Sequence, residues 1–226
     1  MKKNAVVIHS GGMDSSICLA LAIREFGADK VLSLSFEYSQ RHPPELIQAA
    51  KICKDWKVDH VQLEIDCLKE ITSSALIGSN IPIHHETNKP PNTLVVGRNG
   101  LMAHLGGIHA HHLGAHCIYM GVMELEGANC GYRDCSRKYM DLQQEILRID
   151  LDMPKFEIRT PVIRCTKKET MDMAHELGIL PYLLEETITC YEGIRKKGCG
   201  ACPSCKLRNQ GIADYVKANP DCRMPY

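Results

Sequence analysis

Three things are scarce in this 226-residue chain: net charge, long apolar runs and repetition. Lys plus Arg and Asp plus Glu stand at 27 each. No global basic field therefore draws in a nucleic-acid backbone, which argues against an RNA partner and leaves only local patches for such contact. No stretch approaches the ~20 apolar residues that span a bilayer. The opening MKKN runs straight into a short apolar segment with no small-residue cleavage site, so it does not read as a secretory leader. The expectation is a soluble, cytoplasmic protein with no membrane partner. Internal repeats and low-complexity tracts are also missing. Cysteine, by contrast, is plentiful at 12 residues. In a reducing compartment these are buried thiols, catalytic thiols or metal ligands rather than disulfides.

Apolar runs at 5–8, 31–36, 60–65, 117–122 and 157–162 alternate with helical patterns at about 15–27, 44–56, 99–114, 136–149 and 167–177. Such βαβα alternation predicts an α/β fold, a mostly parallel sheet covered by helices on both faces, with ligands at the carboxyl ends of the strands. Thr166 and Glu169 form a capping-box pattern, and Gly178 stands where a left-handed cap closes the same helix. Residues 69–93 show no sustained periodicity and read as a long functional loop. The expected division is 1–185 for the main domain and 186–226 for a C-terminal segment whose helix, near 206–218, packs back on it.

The segment SGGMDSS at 10–16 lies between the first apolar run and the first helix. Gly11 and Gly12 permit tight backbone geometry, so successive N–H groups converge on one anion while the helix directs its positive end there. That is a phosphate cradle. It lacks the Gly-Lys-Ser/Thr ending of a Walker loop, so γ-phosphoryl transfer is not expected. It resembles instead the pyrophosphate loop (PP-loop) of the N-type ATP pyrophosphatases, which cut ATP to AMP and pyrophosphate.

Other candidates lie at strand ends. YSQRH at 38–42, with Glu45 following, offers donors, acceptors and a cation through Tyr38, Gln40, Arg41 and His42; on this segment alone a solvated polar loop fits as well. Gly97, Arg98 and Asn99 stand at a strand-to-helix turn, where Arg98 suits a phosphate or carboxylate. GYRDC brings Tyr132, Asp134 and Cys135 together: Asp134 suits the edge of a guanine-like base or magnesium, and Cys135 is either a nucleophile or, more commonly for such a residue, a buried structural thiol. Lys167 opens a helix against its dipole, a cost that a bound phosphate would offset. Histidines 104, 109, 111, 112 and 116 lack a completing Cys or carboxylate and read as surface or satisfied helix residues.

Cys190, Cys199, Cys202 and Cys205 form a four-thiol set with glycines at the knuckle. The spacing is that of a closed, structural zinc site; an iron–sulfur cluster or unliganded thiols remain the alternatives. Metal binding is expected to fold this core-poor segment.

In order along the chain, SGGMDSS, YSQRH, GRN, GYRDC, and TCYEGI followed by CGACPSC resemble the 7-cyano-7-deazaguanine synthases of queuosine precursor synthesis. The resemblance implies a Rossmann-like ATP pyrophosphatase domain, one structural Zn2+ on the four cysteines, commonly a homodimer, and small-molecule substrates. The implied reaction is that of a carbon–nitrogen ligase: 7-carboxy-7-deazaguanine and ammonia become the nitrile at the expense of Mg2+-ATP, through adenylated acid and amide. It places ATP on Ile8, His9, Ser10, Gly11, Gly12, Met13, Asp14, Ser15, Ser16, Ile17 and Cys18, and catalysis on Asp14, Ser15 and Lys167. The substrate falls to Tyr38, Gln40, Arg41, His42, Glu45, Gly97, Arg98, Asn99, Tyr132, Asp134 and Cys135. Val96 and Arg133 stand where the family has proline, and 123–129 runs about two residues long, departures that bear on substrate geometry. Rival expectations are another adenylating enzyme, acting on a related deazapurine or thiolating tRNA, and a non-catalytic zinc-knuckle binder.

Overall fold

A computed structural model describes residues 2–38, 44–77, 81–82, 91–125 and 131–221. Five strands, β1 (Ala5–Ile8), β2 (Val31–Glu37), β3 (Asp59–Glu64), β4 (Cys117–Met120) and β5 (Glu157–Arg159), form one sheet in the order β3-β2-β1-β4-β5. All four pairings are parallel. The central strand β1 reads as four consecutive apolar residues because both of its faces are covered.

Alternation along the strands sorts the side chains into two cores. Ala5, Val7, Val31 and Tyr119 face α1 (Met13–Phe26), α2 (Pro44–Asp55) and α6 (Lys167–Glu176), while Val6, Leu34, Ile118 and Ile158 face α4 (Arg98–His112) and α5 (Arg137–Asp150). The doubly wound α/β architecture expected from the sequence is the one observed. A short α3 (Cys67–Ile71) follows β3. Along α4, Gly106 and Gly107 leave room for Ile8 of β1 and Leu147 of α5, so this helix seats close on the sheet.

The predicted capping box is present on α6, with Thr166 accepting from the Glu169 N–H and Glu169 from the Thr166 N–H; Gly178 follows at φ +71°. Of the boundaries that differ from the sequence reading, two have a local cause. β4 stops at Met120 rather than 122, because the chain turns off at Gly121 against the phosphate loop, and β5 stops at Arg159 before Pro161, which has no ladder N–H to give. A helix not expected, α7 (Leu180–Glu186), follows Gly178 almost directly, with Pro181 in its first turn. Within 69–93, α3 covers the start and the Ala75 N–H donates to the Asn92 carbonyl at 2.9 Å, pinning the two limbs of the segment together. Helix α8 (Pro203–Ala218) packs against α6, where Gly211 meets the Lys167 stem.

Candidate functional site

The reversal of strand order around β1 leaves a crevice beyond the carboxyl ends of β1 and β4. SGGMDSS lies there. Gly11 holds φ +80° and packs so tightly on the Glu45 carbonyl that a Cβ has no room. The Ser15 hydroxyl donates to the Gly12 carbonyl (3.1 Å) and accepts from the Ser10 N–H (3.2 Å), and Ser16 Oγ donates to the same carbonyl at 2.8 Å. The loop therefore keeps its shape by its own hydroxyls, with the first N–H groups of α1 left for a ligand.

Beneath it His9 is fully enclosed, its ring nitrogens 3.1 Å from Ser33 Oγ and 3.0 Å from Ser16 Oγ. Burial, with the His60 charge adding to it, holds the His9 pKa down near 3, so the ring is neutral and acts as a strut. Gly121 closes the other side: a Cβ there would lie 2.6 Å from the Ser15 nitrogen. Nothing in the sequence reading singled out Gly121, which lies inside the fourth apolar run.

Lys167 Nζ donates to Asp14 Oδ2 at 2.5 Å and to Met123 Sδ at 3.1 Å, bringing together two groups 153 residues apart. The other Asp14 oxygen, Oδ1, is buried with no partner among the described residues. An unpaired carboxylate oxygen beside a phosphate cradle suits a hard cation accompanying a nucleotide, so the donor set fits magnesium.

From this loop a cavity of about 660 Å3 extends to a polar, aromatic end. Ile8, Ser10, Gly12, Met13, Asp14 and Ser15 line it, as does Lys167, whereas Gly11, Ser16, Ile17 and Cys18 support the loop from behind. At the far end Arg98 lies 5.5 Å over the Tyr38 ring and donates to its hydroxyl at 3.1 Å; Tyr38 in turn raises the Arg98 pKa, so the cation is permanent. Glu45 faces the same space. Burial pushes its carboxyl up to about 7, with the Arg98 charge pulling the other way. Tyr132, hydrogen bonded to Thr93, completes this wall with Tyr191, Ser204 and Lys206, which the sequence reading did not assign.

Asp134 has a different position from that of a base-edge reader. It is buried, does not line the cavity, and its Oδ2 accepts the Asn99 N–H at 3.0 Å, anchoring the first turn of α4. Cys135 does line the cavity, but burial and then the Asp134 charge push its thiol up to about 12, and Asn99 Nδ2 donates to the sulfur at 3.3 Å. Such a thiol is not a ready nucleophile. Gly97 adopts φ +73° ahead of α4 and stays outside the cavity. Val96 is 80 % exposed and Arg133 is exposed, so neither unusual residue lines the cavity. Gln40, Arg41 and His42, and part of 123–129, lie outside the described residues.

The four cysteine sulfurs lie within 4.8 Å of one another. Backbone N–H groups of Cys199 and Glu192 donate to Cys190 Sγ, that of Cys202 to Cys199 Sγ, and that of Cys205 to Cys202 Sγ, at 3.3–3.4 Å. Four convergent thiols with N–H donors on three of the sulfurs fit a tetrahedral metal with no open position, held by Cys190, Cys199, Cys202 and Cys205. Cys202 also caps α8, so the knuckle sets the direction of the helix whose first turn supplies Ser204 and Lys206 to the cavity. No helix among the described residues is long and apolar enough to cross a membrane.

Fold and site together define an ATP-using enzyme of the PP-loop class. Within it, the chain belongs to the QueC family: the model described as queuosine biosynthesis protein QueC matches residues 4–216. Solved structures with a similar course include the U34-tRNA thiolase NcsA from Methanococcus maripaludis with its [4Fe-4S] cluster (13 % identity, 97 % of this chain and 68 % of that one, TM-score 0.48). NMN synthetase from Francisella tularensis is another (10 %, 100 % and 89 %, 0.49). A third is a predicted subunit of tRNA methyltransferase from Methanocaldococcus jannaschii (16 %, 77 % and 75 %, 0.48).

Proposed function

We propose that the chain converts 7-carboxy-7-deazaguanine and ammonia to 7-cyano-7-deazaguanine with ATP, by way of adenylated acid and adenylated amide. The observation that carries the reading is one continuous cavity with a phosphate cradle and an Asp14–Lys167 pair at one end and Glu45, Arg98 and tyrosines at the other, in a QueC-family chain.

A carboxylate on an electron-rich pyrrole is a poor electrophile. Its oxygen attacks the α-phosphorus of ATP and pyrophosphate leaves, held by the N–H groups in the first turn of α1. Lys167 stands where charge grows on the departing phosphates, a stabilisation of the kind worth roughly 10²–10³ in rate. Asp14 holds the lysine by one oxygen and offers the other to magnesium, which would shield the phosphates. Ammonia displaces AMP to give the amide. The amide oxygen is then adenylated in the same way, and loss of AMP with the remaining nitrogen protons leaves the nitrile. Zinc on the four cysteines serves structure in this scheme.

Purified chain incubated with the 7-carboxy base, ammonium and ATP is the test. Mass analysis is expected to find the nitrile, with AMP and pyrophosphate formed alongside; an amide end product or no ammonia-dependent product would overturn the reading.

A further inference from the structure

We propose that Glu45 is the specificity-determining residue for the base, accepting two hydrogen bonds from the ring N–H and the exocyclic amino N–H of a 2-amino-4-oxopyrimidine edge. This deepens the proposed function and rests on it for the identity of the ring.

Among the described residues the Glu45 carboxylate makes no hydrogen bond and no ion pair, although it is half-buried and lines the cavity. A half-buried acid in a cavity is only partly solvated, and a ligand that brings two N–H donors replaces the water it displaces. Position tells which ligand. Glu45 sits in the first turn of α2, its own carbonyl packed on Gly11, at the junction between the phosphate loop and the tyrosine-lined end. The helix start favours its anionic form there, and so does the nearby Arg98 charge.

A carboxylate presents two acceptor oxygens side by side and so matches two parallel N–H donors. A 2-amino-4-oxopyrimidine edge offers that pair. Adenine does not: its ring nitrogen beside the amino group is a lone pair and would repel the carboxylate, so the same residue discriminates between the base and the adenine of ATP. Arg98 gives one N–H to Tyr38 and keeps further donors for the carbonyl that adjoins the pair. The other carboxylate near this end, Asp134, is committed to the Asn99 N–H and does not line the cavity.

The test titrates wild type and Glu45→Gln with two probes, 7-deazaguanine and 7-deazahypoxanthine, which lacks the amino group. Wild type is expected to prefer 7-deazaguanine by about 10–100-fold, the worth of one good bidentate pair, and Glu45→Gln is expected to lose that preference while keeping its metal content and its circular dichroism. Discrimination retained by Glu45→Gln, or absent from wild type that still makes nitrile, would overturn the role of Glu45 alone. Wild type that binds neither probe and makes no nitrile would overturn the role together with the functional reading.

Discussion

The two ends of the cavity are built in opposite ways. The phosphate end is one stretch of chain, 10–16, whose serine hydroxyls bond to its own backbone and whose shape is completed by Gly11 and Gly121. The base end is assembled from separate segments: Tyr38 after β2, Glu45 on α2, Arg98 on α4, Tyr132 before α5, and Tyr191 and Ser204 around the cysteine knuckle. A loop shaped largely by its own hydroxyls tolerates little change within itself and leans on other segments at a few points, Gly121 and Lys167 among them. An end assembled from distant segments inherits every weakness of the elements that hold it, the metal site included.

The comparison breaks most sharply at Asp14. Asp14→Asn is expected to lower pyrophosphate release by roughly 10²–10³-fold, the scale for losing one charge-stabilising group in a site, with metal content unchanged. Equal turnover, measured as pyrophosphate formed per minute, would contradict the role given to the pair with Lys167.

Gly121→Ala comes next. Its Cβ meets backbone rather than a movable side-chain end, so the loop must shift, at about 1–3 kcal/mol. A melting curve and an ATP-binding titration check this together: both should worsen, since the displaced residues are those of the cradle.

Removing the metal sharpens the contrast from the other side. Stripped by a chelator, the 190–205 segment should become protease-sensitive and affinity for 7-deazaguanine should fall at least tenfold. ATP affinity should change much less, because the cradle belongs to the sheet. Equal loss of both ligands would show that the two ends are not independent.

A smaller effect is expected from pH. The folded-state pKa of Glu45, about 7, lies above its ordinary 4.5. Between these values the folded chain binds more protons than the unfolded one, so this residue's contribution to stability falls as pH rises from about 5 to about 7. Glu45→Gln should remove that slope and leave the free protein more stable by about 1–2 kcal/mol at pH 8, less than the full shift implies because the group retains some solvent. Denaturant midpoints at pH 5 and pH 8 read the difference. Smallest of all, Val96→Ala and Arg133→Ala should stay within about 0.5 kcal/mol in stability, as exposed positions do, and within twofold in turnover.

The same contrast explains what the sequence disclosed. SGGMDSS, the Thr166–Glu169 cap and the four cysteines declare themselves because their chemistry is complete within a few residues, and the alternation of apolar runs was enough for the doubly wound sheet. Glu45 and Asp134 were both legible as candidate carboxylates. Only tertiary packing separates the one left without donors in the cavity from the one that anchors Asn99. Cys135 similarly needed its surroundings, burial and the Asp134 charge, before its thiol could be read as quiet. Helix α7 escaped notice because the spacing after Gly178 leaves almost no linker, and Gly121 because close approach of two backbones has no signature in one of them alone.

The central claim is that the cradle activates an acid held at the other end of the same cavity. Exchange of labelled pyrophosphate into ATP, without ammonia, tests it most directly. The account predicts exchange that depends on 7-carboxy-7-deazaguanine and disappears in Asp14→Asn; exchange that proceeds equally well without the base, or survives that substitution, would contradict it.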